Sequence, residues 1–136
     1  MDLGCGYGYL GCEASRYPFT SITSTDNNAA ALAASKENFA YLPHSNHQVI
    51  AADAGDQLDQ EFDTILCNPP FHQGFTVDDG MNIKFLSNSK RLLSSSGQAL
   101  FVVNAFIPLE HTATQYFAQV NVLANDGAFK LVALSQ

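Results

Sequence analysis

Apolar and polar positions along this chain fall into short blocks that alternate between a strand rhythm and a helix rhythm. SITST at 21–25 is a β-branched run of the kind that forms a buried strand, and VIAAD at 49–53 and FDTILCN at 62–68 predict two more. ALFVVNA at 99–105 is unbroken and apolar, as in a strand covered on both faces of a parallel sheet. Between these runs lie helical segments. A helix is expected over 8–16, ending before Pro18, and the Ala-rich NNAAALAASKENFA at 27–40 predicts another, with Asn27 or Asn28 as N-cap. Met81, Phe85, Leu86, Leu92 and Leu93 give a helical stripe over 78–93, which SSSG at 94–97 should end. A short helix is expected over 110–117. The chain closes with QVNVLA (119–124), the turn Asn125-Asp126-Gly127 and FKLVAL (129–134), an antiparallel hairpin.

Alternating strands and helices finished by a hairpin predict an α/β fold of three layers, with a mostly parallel sheet and a ligand at the carboxyl ends of its strands. No repeat, low-complexity tract or Pro/Gly-rich linker interrupts the pattern, so residues 1–136 read as a single domain.

Composition narrows the function classes. Of 136 residues 46% are hydrophobic and 14% charged, which suits a packed core. No apolar run approaches the roughly 20 residues of a membrane span, and the start lacks the pattern of a signal peptide. A cytoplasmic protein with no membrane partner is therefore expected. Cys5, Cys12 and Cys67 lack both zinc-site spacing and the density of a disulfide scaffold, and the four histidines, His44, His47, His72 and His111, show no metal-ligand spacing. No metal is expected. The net charge of −7 argues against this domain alone gripping a phosphate backbone. Lys84, Lys90 and Arg91 cluster in one stretch, and a solvated helix face is the plainer reading beside an RNA-facing patch.

Four elements carry chemistry. In DLGCGYGYLG at 2–11, Gly4, Gly6 and Gly8 let the backbone turn tightly and approach a ligand closely, with the next helix directing its first amides into the same space. Dinucleotide sites use the same device. Asp2 discriminates, because a carboxylate there suits a sulfonium or an amino group and would repel a pyrophosphate. Asp26 ends the next strand, where an acid can accept from both ribose hydroxyls or instead cap the helix that follows. Asp53 ends a further strand and can accept from an adenine amine or simply serve a turn. Last, CNPPF at 67–71 follows an apolar strand. There Asn68 and the Pro69 carbonyl can both accept from one planar NH2, orienting it and drawing its lone pair out of conjugation. The Pro69-Pro70 pair stiffens the loop, and Phe71 offers a ring for stacking. His72 can contact substrate or be satisfied by backbone. Cys5 lies in the glycine loop and not in a Pro-Cys substrate loop, so packing is its expected role.

In this order and spacing, DLGCGYGYLG, Asp26, Asp53 and CNPPF resemble the class I S-adenosylmethionine-dependent methyltransferases. The extended CNPPFHQG (67–74), SSSGQALFVVNAFIPL (94–109) and VLANDGAFKLVAL (122–134) are similar to the ribosomal RNA guanine-N2 methyltransferases. The resemblance implies a Rossmann-like methyltransferase fold with S-adenosyl-L-methionine as cofactor. It implies cofactor contacts from Asp2, Gly4, Cys5, Gly6, Gly8, Asp26, Asn27, Asp53, Ala54 and Asn68, with Gly4, Gly6 and Gly8 at its amino-acid part, Asp26 at its ribose and Asp53 at its adenine. Asn68, Pro69, Pro70 and Phe71 would form the catalytic loop, and Phe71 and His72 would meet the target base.

The implied substrate is ribosomal RNA or an assembling ribosomal subunit. N6-adenine or protein glutamine methylation uses the same kind of loop, and a non-catalytic S-adenosylmethionine-binding module is the reading outside enzymes. Only Met1 precedes Asp2, so a truncated first strand, a fragment lacking an amino-terminal part, and a homodimer that fills the resulting slot are also expected.

Overall fold

A computed structural model describes residues 1–42, 46–70 and 79–136. His44, Phe71, His72, Gln73, Gly74 and the first residue of the expected 78–93 helix lie outside them. The chain divides into two compact units, Met1–Leu58 and Asp59–Gln136.

In the first unit, β1 (Asp2–Leu3), β2 (Ile22–Asp26) and β3 (His47–Ala51) pair in parallel in the order β3-β2-β1. Asp2 stands opposite Ser24 and Leu3 opposite Thr25. α1 (Tyr9–Ala14) and α2 (Ala29–Ala40) make the crossovers that parallel strands require. The β-branched run is buried as expected, with Ile22, Thr23, Ser24 and Thr25 all inside. Asn28 caps α2, its side-chain oxygen accepting from the amides of Ala30 at 2.9 Å and Ala31 at 3.3 Å. Asp26 is therefore not the cap. β3 ends at Ala51 and not at Asp53, which instead opens a single 3-10 turn, Asp53–Gly55, with Ala54 at φ 50°. The predicted strand stops early because the chain must bend there to leave the sheet.

In the second unit, β4 (Phe62–Cys67), β5 (Leu93–Asn104), β7 (Phe129–Ser135) and β6 (Gln119–Asn125) pair in that spatial order. β4 and β5 are parallel, joined through α3 (Asp79–Leu92), while β7 runs antiparallel to both β5 and β6. Phe85, Leu86 and Leu92 face inward as the stripe predicts. The tract 94–97 does not end the helix as a loop. Leu93 already pairs with Phe62, and the next pair is Thr64 with Gln98, so Asp63 alone faces four residues of β5. SSSG is thus a bulge inside a strand, with Ser94 Oγ donating to Asp63 at 3.0 Å. Sequence reading took it for a stop because Ser and Gly serve turns and bulges alike.

α4 is confined to Leu109–Ala113, shorter than the expected 110–117, and single turns continue it to Phe117. Leu109, Ala113 and Phe117 are buried. Lys130 of β7 is 6% exposed and pairs with Glu110 of α4 at 2.6 Å, which supplies the partner a buried ammonium needs. Of the basic cluster, Lys90 donates to Gln136 and lies 5.7 Å from the centre of the Phe117 ring, and Arg91 donates to Asn88. Lys90 and Arg91 are thus engaged within their own unit. Among the described residues no helix is long and apolar enough to cross a membrane, and no group of three His, Cys, Asp or Glu is placed to hold a metal ion.

Candidate functional site

The glycine loop of the first unit is drawn tight by its own backbone. Cys5 donates its amide to Thr25 at 2.8 Å, Gly8 closes a turn onto the Cys5 carbonyl at 2.8 Å, and Cys12 continues from Gly8 at 2.9 Å. The three glycines all have left-handed φ, 72° at Gly4, 55° at Gly6 and 87° at Gly8, a region that L side chains enter at a cost of about 1–2 kcal/mol. Gly6 and Gly8 differ in surroundings. A Cβ at Gly8 would stand 2.7 Å from Ser35 Oγ, whereas one at Gly6 would meet nothing within 4 Å. Gly8 is glycine to let α2 pack; Gly6 keeps space open on the loop's outer side.

Asp26 ties this loop to the next one. One carboxylate oxygen accepts from the Gly6 amide at 2.9 Å and the other from the Asn28 amide at 2.9 Å. The Asp26 carbonyl accepts from Ala52 at 3.0 Å, and Asn27 Nδ2 donates to Asp53 Oδ1 at 3.0 Å. Gly6, Asp26, Asn27 and Asp53 therefore form one connected edge at the carboxyl ends of β1, β2 and β3. Each carboxylate oxygen of Asp26 retains a lone pair, and Asp26 is half-buried while Asp53 is exposed. Ala54 is buried behind that edge.

Asp2 is placed differently from the sequence expectation. It is 1% exposed, and its Oδ2 accepts from the Gly11 amide at 2.8 Å. Its carboxylate thus faces the first turn of α1, and that amide is spent inside the protein. Burial pushes the Asp2 carboxyl up to about 6, with the Gly11 amide pulling the other way. Cys5 is buried with Sγ 3.8 Å from Ser35 Oγ, and burial raises its thiol to about 11. A thiol so hard to ionise is no nucleophile at neutral pH, in keeping with packing as its role.

Sequence reasoning missed Gly11, Ser35 and Asn38. Gly11 is approached by Phe39, Ser24 and Asp2, where a Cβ would lie 2.7 to 3.2 Å from all three. Asn38 donates to the Tyr7 carbonyl at 2.8 Å and fixes the loop from α2. The spacing of glycines in DLGCGYGYLG carried a signal for Gly11; nothing in the α2 sequence marked Ser35 or Asn38.

The second unit carries the other motif. β4 ends at buried Cys67, and Asn68 follows it exposed, Pro69 buried and Pro70 exposed. An amide side chain thus stands clear on a backbone that two prolines and a buried ring hold in place. Phe71 and His72 lie outside the described residues.

The chain matches the Methyltransferase small domain family over residues 1–133. It is 33% identical over 135 residues to Ribosomal RNA small subunit methyltransferase C of Haemophilus influenzae and 34% identical to that of Mannheimia succiniciproducens, covering 98% of this chain in each case. It spans only 41% and 40% of those relatives' lengths. Among solved structures, the Thermus thermophilus 16S rRNA N2 G1207 methyltransferase in complex with AdoMet and guanosine aligns with a TM-score of 0.88 at 23% identity, over 99% of this chain and 36% of that one. The ribosomal protein L11 methylase of Lactobacillus delbrueckii aligns with a TM-score of 0.82 at 20% identity, over 99% and 67%. These likenesses show the Rossmann-like methyltransferase fold, mostly parallel with antiparallel strands at its carboxyl end. The chain belongs to the methyltransferase small domain family of class I S-adenosylmethionine-dependent methyltransferases.

Proposed function

We propose that residues 1–136 act as one S-adenosylmethionine-binding domain that methylates an exocyclic amine, the N2 amine of a guanine in ribosomal RNA, free or in an assembling subunit. The observation that carries the reading is Asn68, exposed on the buried Pro69 at the carboxyl end of β4. The methyltransferase C relatives and the guanosine in the Thermus structure support guanine over adenine or a glutamine amide.

The first unit fits the cofactor. The open side of Gly6 admits a backbone-hugging ligand, and the Asp26 lone pairs are suited to ribose hydroxyls. Asp53 and Asn27 are suited to the adenine amine, with Gly4, Cys5, Gly8 and Ala54 completing the surround and Asp2 fixing the turn behind it. When bound, S-adenosylmethionine supplies a methyl group already activated by its sulfonium.

The protein's own task is positioning. Asn68 Oδ1 and the Pro69 carbonyl accept from the two N–H groups of the amine, which turns its lone pair out of the ring plane and toward the methyl carbon. The bound cofactor would supply its methyl group to the amine nitrogen and leave as S-adenosylhomocysteine, and the amine proton would pass to water. Phe71 and His72 are assigned to the base on sequence alone.

The test is to incubate the protein with methyl-labelled cofactor and unmodified ribosomal RNA, digest to nucleosides and identify the labelled one. Label on N2-methylguanosine is expected. Label on adenosine, or on glutamine in added ribosomal protein, overturns the substrate assignment.

A further inference from the structure

Phe106 is the most exposed phenylalanine of the described residues, at 74%, and nothing in the second unit's own packing accounts for it. Single exposed apolar side chains are ordinary. The place and rigidity of this one are not.

β5 overshoots β4. Cys67, the last residue of β4, pairs with Phe101, and β5 continues through Val102 and Val103 to Asn104, about 10 Å further at the rise of an extended chain. There the backbone folds into a turn in which Ile107 donates to the Asn104 carbonyl at 3.0 Å. Phe106 lies within that turn, beyond the register position at which β4 ends.

The turn is anchored on both sides. Ala105 donates to the Ala128 carbonyl at 2.9 Å, Leu109 donates to the Ile107 carbonyl at 2.8 Å, and Ile107 and Leu109 are each 1% exposed. A second ring, Phe129, stands at the same end of the sheet directly across the ladder from Asn104 and is 46% exposed. An aromatic ring held out to solvent by a fixed turn costs little entropy to engage and loses nothing of the core when it does.

We infer that Phe106 is a substrate-contact residue, a stacking platform for a nucleobase of single-stranded RNA bound at the carboxyl edge of β4 and β5. This inference rests on the methyl-transfer reading above. It adds a contact outside the amine-holding pair and explains how a domain of net charge −7 holds RNA, since base stacking does not depend on positive charge. Phe129 flanks the same platform.

The chain contains no tryptophan, so Phe106→Trp places a single reporter at the position. Titration with a short unstructured RNA oligonucleotide containing guanosine should quench its fluorescence, because a stacked base is an efficient quencher. In steady-state transfer, Phe106→Ala should raise KM for RNA roughly 5- to 100-fold, the range expected for losing one base stack, with kcat and S-adenosylhomocysteine affinity unchanged. Phe106→Tyr should restore KM.

An unquenched tryptophan together with a wild-type KM in the alanine variant overturns the inference. So does an alanine variant whose light-scattering mass changes while its RNA affinity does not, since the ring would then be covered by protein. Failure of the parent reading is recognised separately. It shows as absence of label on guanosine in the wild-type protein, whereas the quench needs no methyl transfer.

Discussion

The carboxylate of Asp26 and the amide of Gly6 meet at 2.9 Å, so the acid that ends β2 also sets the shape of the glycine loop that follows β1. A residue assigned to ribose is thereby a structural clamp as well. Asp26→Ala should weaken S-adenosylhomocysteine binding by roughly 1–3 kcal/mol and lower the melting temperature of the free protein. Calorimetry and thermal melts on the same samples separate the two losses. A lower melting temperature with wild-type affinity would confine Asp26 to the structural role.

Gly6 and Gly8 share a left-handed backbone but not an environment, and alanine should tell them apart. At Gly8 the new methyl collides with Ser35, so Gly8→Ala should cost about 1–3 kcal/mol of stability in urea unfolding. At Gly6 only the backbone strain is felt, about 1 kcal/mol, but the methyl projects into the space kept for the cofactor. Gly6→Ala should therefore melt close to wild type and show no thermal shift with S-adenosylhomocysteine. An undiminished shift would mean that the open side of Gly6 is not where the ligand lies.

Asp2 should give stability an unusual pH slope. Its carboxyl is raised from 3.8 to about 6 by burial, so the folded state holds a proton that the unfolded chain releases more readily. The contribution is full below about pH 4 and disappears as the pH climbs to about 6, on the order of 3 kcal/mol in all. Asp2→Asn keeps an acceptor for Gly11 without a charge. The unfolding free energy of this variant, less that of wild type, should rise between pH 4 and pH 6 and level off above. A difference independent of pH would show that Asp2 titrates normally.

Asn68→Ala should reduce methyl transfer by about 100-fold or more while S-adenosylhomocysteine affinity changes little, because the amide acts on the substrate amine. Wild-type turnover by this variant would remove Asn68 from the mechanism.

Sequence reading located most elements because each rests on local cues. Five hydroxyl-bearing or branched residues in 21–25 can form little but a strand, and alanines at 29–31, 33 and 34 favour helix almost wherever they fall. Errors arose where one residue type serves two geometries. The serines and glycine at 94–97 form a bulge because β4 is already waiting to pair with Leu93, a long-range fact invisible in the tract itself. Asn28 won the cap position over Asp26 because the Asp26 carboxylate is held by the Gly6 amide, 20 residues away in sequence. Asp2 was expected to face a ligand, yet it lies beneath the loop against Gly11. Motif residues were legible as a set. Their hydrogen-bond partners on α2, Ser35 and Asn38, were not, because a small polar residue on a helix looks the same whether it faces water or a loop.

The insertion of β7 between β5 and β6 imposes an order on synthesis. A ribosome delivers β6 before β7, yet among the described strands of the second unit β6 pairs only with β7, and β7 alone joins it to β5. While residues 129–135 are still inside the exit tunnel, Gln119–Asn125 has no neighbour to pair with and the far edge of β5 stays open. At ordinary elongation rates that wait is on the order of a second, long compared with hairpin closure, so this half of the sheet completes only as β7 emerges. Loss of Phe129–Ser135 would thus cost the sheet of the second unit two strands, since β6 would lose its pairing partner together with β7.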